Sequence, residues 1–340
     1  MPSPDEFALI RGWTAGRQSP ERLASAGVIA GIGDDAAIVS PPPGHEFLLA
    51  MDTMVEETHF LPETMEDSDV GYKALAANVS DIAAMGGTPL HALISVSVPP
   101  AWGPERTSSL YDGFYACAER YGVAVVGGDT TSSPKHLIVA VTITGSVEAG
   151  RAIRRSGAGS GEIVFATGPL GLSAGGLHGM LPRGGKRAIP RPPERLVKAH
   201  RRPEPSVMAG RLLSGNGWAT SLNDVSDGLA SEAWEIAEAS RVRLILEESR
   251  LPLSGELAAY ASDCGMNPLN WMLYGGEDYV LLGTAKREHE AAVRERFRSE
   301  GLPFFVIGET EAGEPGVFLR EADAKLRPIA KRGYNHFAKG

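Results

Sequence analysis

The 340-residue chain holds only two cysteines, Cys117 and Cys264, and neither sits in a C-x-x-C pair. That argues against a disulfide framework or a structural zinc site, and a reducing cytoplasm is the expected setting. No apolar run approaches the roughly 20 residues that span a bilayer. The opening stretch "MPSPDEFALIRGW" has no basic segment leading into an apolar one, so no signal peptide is expected. Lys plus Arg number 33 against 42 Asp plus Glu, and the net charge of −9 argues against a general nucleic-acid binder. Phosphate-binding signatures are missing too. "LPRGGKRA" lacks both the hydroxyl and the spacing of a P-loop, and no G-x-G-x-x-G occurs. Any use of ATP must run without a P-loop or a dinucleotide fold.

The length and an ordinary composition, 43% hydrophobic and 22% charged, imply about two domains. In the first half "EFLLAMD" (46–52) reads as a buried strand and 67–87 as a helix ended by glycine. "HALISVSV" (91–98) is a strand, 105–122 a helix, and "VAVVGGDTT" and "HLIVAVTITGSV" two further strands. Residues 148–162 are rich in small residues and arginine and mark a boundary, giving an N-terminal domain of 1–148 and a C-terminal domain of 149–340. The second half adds strands in "EIVFATG", "RVRLILEE", "DYVLLGTA", "FFVIGET" and "GVFLRE", with "GPLGLSAGGL" as a glycine-rich turn. Helices are expected in "PPERLVKAHRRPEP", after "SLNDVSDGL", and in "REHEAAVRERFRSEG". The fold class is α+β. "NVSD" (78–81) and "DVSD" (224–227) echo one another, too briefly to establish a duplication.

The aspartates gather at strand ends and strand-to-helix junctions: Asp35, Asp52, Asp81, Asp129, Asp224 and Asp227. Each alone has an ordinary explanation as a helix cap or turn residue. As a converging set they would repel one another unless cations neutralised them. Oxygen donors without neighbouring His or Cys favour Mg²⁺ over zinc or copper, and Mg²⁺ completes its shell with water and substrate phosphates. The glycine turns "VGGDT", "TGPLGLSAGG" and "YGGEDY" are expected to present backbone N–H groups to an anion. Arg151, Arg154 and Arg155 add positive charge near the domain boundary. Cys117 falls on an apolar helical face and reads as core. His59 in "VEETHF" reads equally as a packing residue and as a phosphate ligand.

In order along nearly the whole chain, "GIGDDAAIV", "MDTMVEETHF", "YKALAANVSDIAAMGGTP", "VGGDTT", "RSGA", "DVSDGL", "GGEDYVLL", "VIG" and "GYNHF" resemble the thiamine-monophosphate kinase family. That family belongs to the aminoimidazole-ribonucleotide synthetase-like ATP-binding superfamily. The resemblance implies two α/β domains: an N-terminal sheet that pairs across a homodimer into a barrel, and a C-terminal mixed sheet flanked by helices. It implies that ATP and several Mg²⁺ ions lie in a groove between that layer and the C-terminal domain, and that the product is thiamine diphosphate. Asp35, Asp52, Asp81, Asp129, Asp224 and Asp227 fall on the family's metal positions. Met51, through its carbonyl, and Thr53 accompany them. Tyr111, Gly128, Asp129, Arg155 and Ser226 match nucleotide positions, and His59, Glu277 and Tyr334 match positions that contact the thiamine substrate. Ala50 and Met51 depart from the family pattern, which often has hydroxyl residues just before the aspartate.

The acceptor in such a reaction is already a phosphate oxygen, so a strong general base is less needed than for an alcohol. Direct in-line transfer by metal clamping is expected, with the aspartates as ligands and no residue as nucleophile. Within the superfamily, an aminoimidazole-ribonucleotide synthetase is the enzymatic alternative. From another class, a non-catalytic cation- or nucleotide-binding module stays open. Selenophosphate synthetase chemistry would need a reactive cysteine in residues 1–60, which hold none.

Overall fold

The first half alternates because its sheet has unlike faces. Along His45–Val55, Leu48 and Met54 are buried while Phe47, Leu49, Met51 and Thr53, on the alternate positions, are exposed. A strand sends successive side chains to opposite faces, so this one covers a core on one side only. A computed structural model of the chain describes residues 12–32, 37–40, 42–181 and 190–332. Asp34, Asp35 and Tyr334 lie outside the described residues.

Contacts divide the chain into two compact units. The first takes the residues up to Ile82 together with Thr88–Ala149, and the second takes Ala83–Gly87 and everything from Gly150 on. The first unit runs α1 (Pro20–Ser25), β1 (Val28–Ala30), β2 (Ile38–Val39), β3 (His45–Val55), α2 (Asp67–Ala84), β4 (Thr88–Val98), α3 (Pro104–Tyr121), β5 (Ala124–Ser132) and β6 (Ile138–Glu148). Its four-stranded sheet has the order β3-β6-β4-β5, with β4 and β5 parallel across α3 and the other pairs antiparallel. Ile94, Val96, Val139, Val141 and Ile143 are buried, as is Cys117 on α3, which sits in the core as its pattern predicted. Pro104 opens α3 and Gly122 ends it in the left-handed conformation, the usual punctuation of a helix.

The second unit comprises β7 (Ile163–Ala166), α4 (Leu172–Met180), α5 (Glu194–Arg201), α6 (Val207–Asn216), β8 (Ala219–Asp224), α7 (Leu229–Ser240), β9 (Arg243–Glu247), α8 (Gly255–Cys264), α9 (Pro268–Tyr274), β10 (Leu281–Ala285), α10 (Glu290–Ser299), β11 (Phe305–Glu311), β12 (Gly316–Arg320) and β13 (Leu326–Pro328). Its seven-stranded mixed sheet has the order β13-β12-β9-β11-β7-β10-β8, and among the described strands of this sheet only β9 and β12 pair in parallel. The unbroken run Ile163–Ala166 is explained by burial on both faces. Val164 and Ala166 enter one core with α7 and α9, while Ile163 and Phe165 enter a second with α6 and α10.

One sequence expectation fails here. "GPLGLSAGGL" is not a turn over its length: residues 172–180 form α4. Small residues allow this helix to pack tightly, since a Cβ at Gly176 would collide with the backbone of Leu196 on α5. The two "VSD" triplets also part company. Residues 79–81 lie inside α2, whereas 225–227 form the loop between β8 and α7.

Candidate active site

In the first unit, Asp52 sits at the middle of β3 in a row with Val141 of β6 and Ile94 of β4, both buried, so its side chain faces the helices. Its backbone N–H donates to Asn78 Oδ1 at 3.1 Å, and Asn78 Nδ2 donates to Ala74 O at 3.0 Å. This ties β3 to α2 and brings Asp52 into hydrogen-bonding contact with Asp81, one turn beyond Asn78. Although Asp52 is exposed by surface area, partial desolvation of its carboxyl raises its pKa, opposed by the bond with Asp81 and by the nearby His59. His59 in turn accepts the Val55 N–H on Nδ1 at 3.0 Å, which leaves its proton on Nε2. Two touching carboxylates beside an imidazole are a poor arrangement for bare anions and a fitting one for a divalent cation.

Asp129 does not join that pair. It lies in the row of Ser95, Ala140 and Thr53, one step from the row of Asp52 and on the opposite face by alternation. Met51 and Thr53 likewise point away from Asp81, so only their backbone shares the Asp52 side. Gly128 is needed where it stands, because a Cβ would collide with the carbonyl of Ile94. Tyr111 is buried on α3, stacked on Trp13 with centroids 5.5 Å apart. Its hydroxyl bonds to Thr130, and burial, with Asp129 nearby, raises its pKa.

In the second unit, two motifs far apart in sequence are laced together. Val225 N–H donates to Val280 O, Tyr279 N–H to Val225 O, and Glu277 N–H to Ser226 O at 2.6 Å. "DVSDGL" and "GGEDY" thus continue the β8–β10 ladder and place Glu277 beside Ser226. Glu277 and Tyr279 both have positive φ, 63° and 51°, a cost borne where surrounding contacts over-determine the backbone. Gly276 is pressed so closely on Ser226 O that any side chain would collide with it.

Below this loop lies a carboxylate that the motif analysis did not single out. Glu232 on α7 is buried, accepts the Asp227 N–H at 3.1 Å and the Asn223 amide, and meets Ser226 Oγ at 3.5 Å. Burial, then Glu235 and Asp224, push its pKa far above the usual carboxylate range. Arg155 Nε–H donates to Asn223 Oδ1 at 3.1 Å and Arg155 forms an ion pair with Glu235 at 3.1 Å, so it belongs to the same network. The only sequence trace of this was the acid spacing, Glu232 and Glu235, on the helix after "DVSDGL".

In two of the three glycine turns, N–H groups are spent on the chain itself rather than offered to a ligand. Asp278 accepts from the N–H groups of Gly171 at 2.5 Å and Ser173 at 3.1 Å, filling the start of α4 with the chain's own carboxylate. Burial pushes its pKa up to about 7 against those backbone donors. Gly275, Glu277 and Tyr279 spend their N–H groups on Trp271, Ser226 and Val225. "GLSAG" (171–175) also spells the G-x-S-x-G string of hydrolase nucleophiles. Ser173 is buried, however, and its Oγ and Glu277 both meet the same nitrogen of His200, Nδ1, which is not a relay.

The sequence-predicted metal positions therefore divide: Asp52 and Asp81 meet in the first unit, and Asp224 and Asp227 flank Glu232 in the second. Among the described residues no three His, Cys, Asp or Glu side chains form a ready cation site. Nor, among them, is any helix long and apolar enough to cross a membrane.

Comparison with known proteins matches residues 33–147 to the AIR synthase related protein N-terminal domain and 159–320 to the corresponding C-terminal domain. A thiamine-monophosphate kinase of Bacillus subtilis (strain 168) is 40% identical over 333 residues, covering 98% of this chain and 99% of that protein. The crystal structure of a thiamine-monophosphate kinase from Stenotrophomonas maltophilia K279a superposes with a TM-score of 0.78 at 32% identity, covering 90% of this chain and 96% of that one. A structure of AaThiL complexed with AMPPCP and TMP superposes with a TM-score of 0.75 at 33% identity, covering 98% and 97%.

Proposed function

The chain belongs to the thiamine-monophosphate kinase family, and we propose that it transfers the γ-phosphoryl group of ATP directly to the phosphate of thiamine monophosphate, in line and with several Mg²⁺ ions. ATP-dependent phosphorylation of thiamine monophosphate is the activity the family carries, and the similar AaThiL structure holds AMPPCP with TMP. The products are ADP and thiamine diphosphate. The observation that carries the finer reading is the contact of Asp52 with Asp81 beside His59.

Asp52 and Asp81 would hold a cation in the first unit, and Asp224 and Asp227 would do so in the second. Asp129, the Met51 carbonyl, Thr53 and Asp35 are assigned to the same task by resemblance. Mg²⁺, when bound, supplies charge neutralisation for two polyanions that would otherwise repel. The chain's own part is placement. Asn78 fixes the strand that carries Asp52, and Glu232 fixes the loop that carries Ser226 and Asp227. Arg155, Gly128, Tyr111 and Ser226 are assigned to the nucleotide. Glu277 presents a carboxylate to the cationic thiazolium, with His59 and Tyr334 assigned to the same substrate. The acceptor phosphate is deprotonated at neutral pH, so no buried side chain need act as base, and no phosphoenzyme is involved.

A homodimer fits the open face of the first sheet, where Phe47 is 45%, Leu49 74%, Met51 62% and Leu93 45% exposed. Exposed apolar side chains of this kind, interleaved with Thr142 and Thr144 of β6, suit a second copy of the sheet. The absence of an apolar spanning helix among the described residues accords with work in the cytoplasm. The reading is tested by ADP release with Mg²⁺ and ATP, with and without thiamine monophosphate, and by isolation of thiamine diphosphate. ADP formation that ignores thiamine monophosphate would overturn it.

A further inference from the structure

The adjacent acids of "GGEDY" grip one spot from two sides. Asp278 reaches the backbone of α4 at Gly171 and Ser173. Glu277 Oε2 lies 3.3 Å from His200 Nδ1 on the last turn of α5, and Ser173 Oγ lies 3.1 Å from that same nitrogen. A carboxylate this close to a ring nitrogen selects the tautomer with the proton on Nδ1, because two lone pairs facing each other would repel. Ser173 shares that proton from the other side. The His200 side chain is 2% exposed and that of Glu277 is 28% exposed, so a ligand can reach the carboxylate and cannot reach the imidazole. Together with the positive φ of Glu277, this leaves the carboxylate little freedom.

We propose that His200 is a positioning residue for substrate choice, holding the Glu277 carboxylate with its Nδ1–H so that it faces the cationic ring of the thiamine substrate. This rests on the reading of Glu277 as a thiamine contact. A carboxylate held in advance loses less rotamer freedom on binding, and a hydrogen bond to a charged group is stronger than a neutral one. The effect falls on the affinity for the cationic substrate and leaves the nucleotide aside.

Steady-state kinetics with both substrates varied tests it. His200→Leu should raise KM for thiamine monophosphate by roughly ten-fold, the order expected for one charge-assisted hydrogen bond, while KM for ATP stays within about two-fold. His200→Asn, whose amide can stand near the Nδ1 position, should recover most of the loss, and His200→Gln, which carries its donor further out, should not. Should His200→Leu fail to fold, the Asn and Gln variants decide the matter between them. Equal behaviour of those two, or a parallel rise in both KM values, would overturn the proposal in favour of a packing role. Glu277→Gln in the same assay separates the layers. If it leaves KM for thiamine monophosphate unchanged, the underlying reading falls and the proposal with it. If it raises that KM while His200→Leu does not, the proposal alone falls.

Discussion

The backbone N–H of Asp52 donates to the side-chain carbonyl of Asn78 across 3.1 Å, and that bond holds a strand against a helix at the one place where Asp52 meets Asp81. The strand position and the helix position are 26 residues apart in sequence. Their meeting is what sets two otherwise ordinary aspartates side by side.

Asp52→Asn should cut turnover by roughly a hundred-fold or more, the scale of losing one electrostatic group at a phosphoryl-transfer centre. The metal-free variant should melt no lower than the parent, because the substitution removes a carboxylate that is partly desolvated and touches the carboxylate of Asp81. Activity and calorimetry on the same preparation check both halves. Full turnover by folded protein at low Mg²⁺ would remove Asp52 from the site.

Glu232→Ala should lower stability by about 1–3 kcal/mol, since the half-buried Asp227 N–H loses its acceptor and the buried Asn223 amide loses one of its two, keeping Glu235. It should also weaken the apparent ATP affinity through the loop that carries Ser226. Urea unfolding and KM for ATP are the measurements, and a stable variant with unchanged KM would count against any role for Glu232.

His91 gives a pH signature in the first unit. Its Nε2–H donates to Ala26 O at 2.6 Å and its Nδ1 meets Thr144 Oγ1 at 2.9 Å. Burial lowers its pKa below the ordinary 6.5, against the backbone bond. The unfolded chain therefore takes up a proton at a pH where the folded chain resists it, and the stability from neutral His91 is lost as pH falls through that window. The stability gap between the parent and His91→Gln should narrow on going from about pH 7.5 to about pH 5.5. A gap that stays constant in chemical denaturation would refute this.

Leu49→Lys addresses assembly. Leu49 is 74% exposed on the open face of the first sheet and should be covered if two copies pair there. Light scattering should give a dimeric mass for the parent and a monomeric one for the variant, without loss of secondary structure by circular dichroism. A monomeric parent would sink the paired-sheet reading.

Much of this protein is determined by its sequence through local rules. Proline and glycine punctuation around α3 and an apolar run at 163–166 depend on neighbours within a few residues, so that helix and strand could be read directly. The strand at 45–55 was legible as a strand but not as a buried one, since Phe47, Leu49 and Met51 are exposed. The order of the motifs likewise sufficed to indicate the family. What tertiary structure alone decided is which polar groups meet. "GPLGLSAGGL" reads locally as a flexible turn, yet it is helical because Asp278, more than a hundred residues on, caps its start, and because its glycines let α5 approach. The same three letters, "VSD", are helix in one unit and loop in the other, because Asn78 answers to β3 whereas Val225 and Ser226 pair with the backbone of "GGEDY". His200 carried no signal, since an imidazole in "KAHRR" looks like any surface cation until α4 and Glu277 close over it. Hydrogen bonds between segments so distant depend on the packed cores that bring them together, and no window of sequence contains both partners.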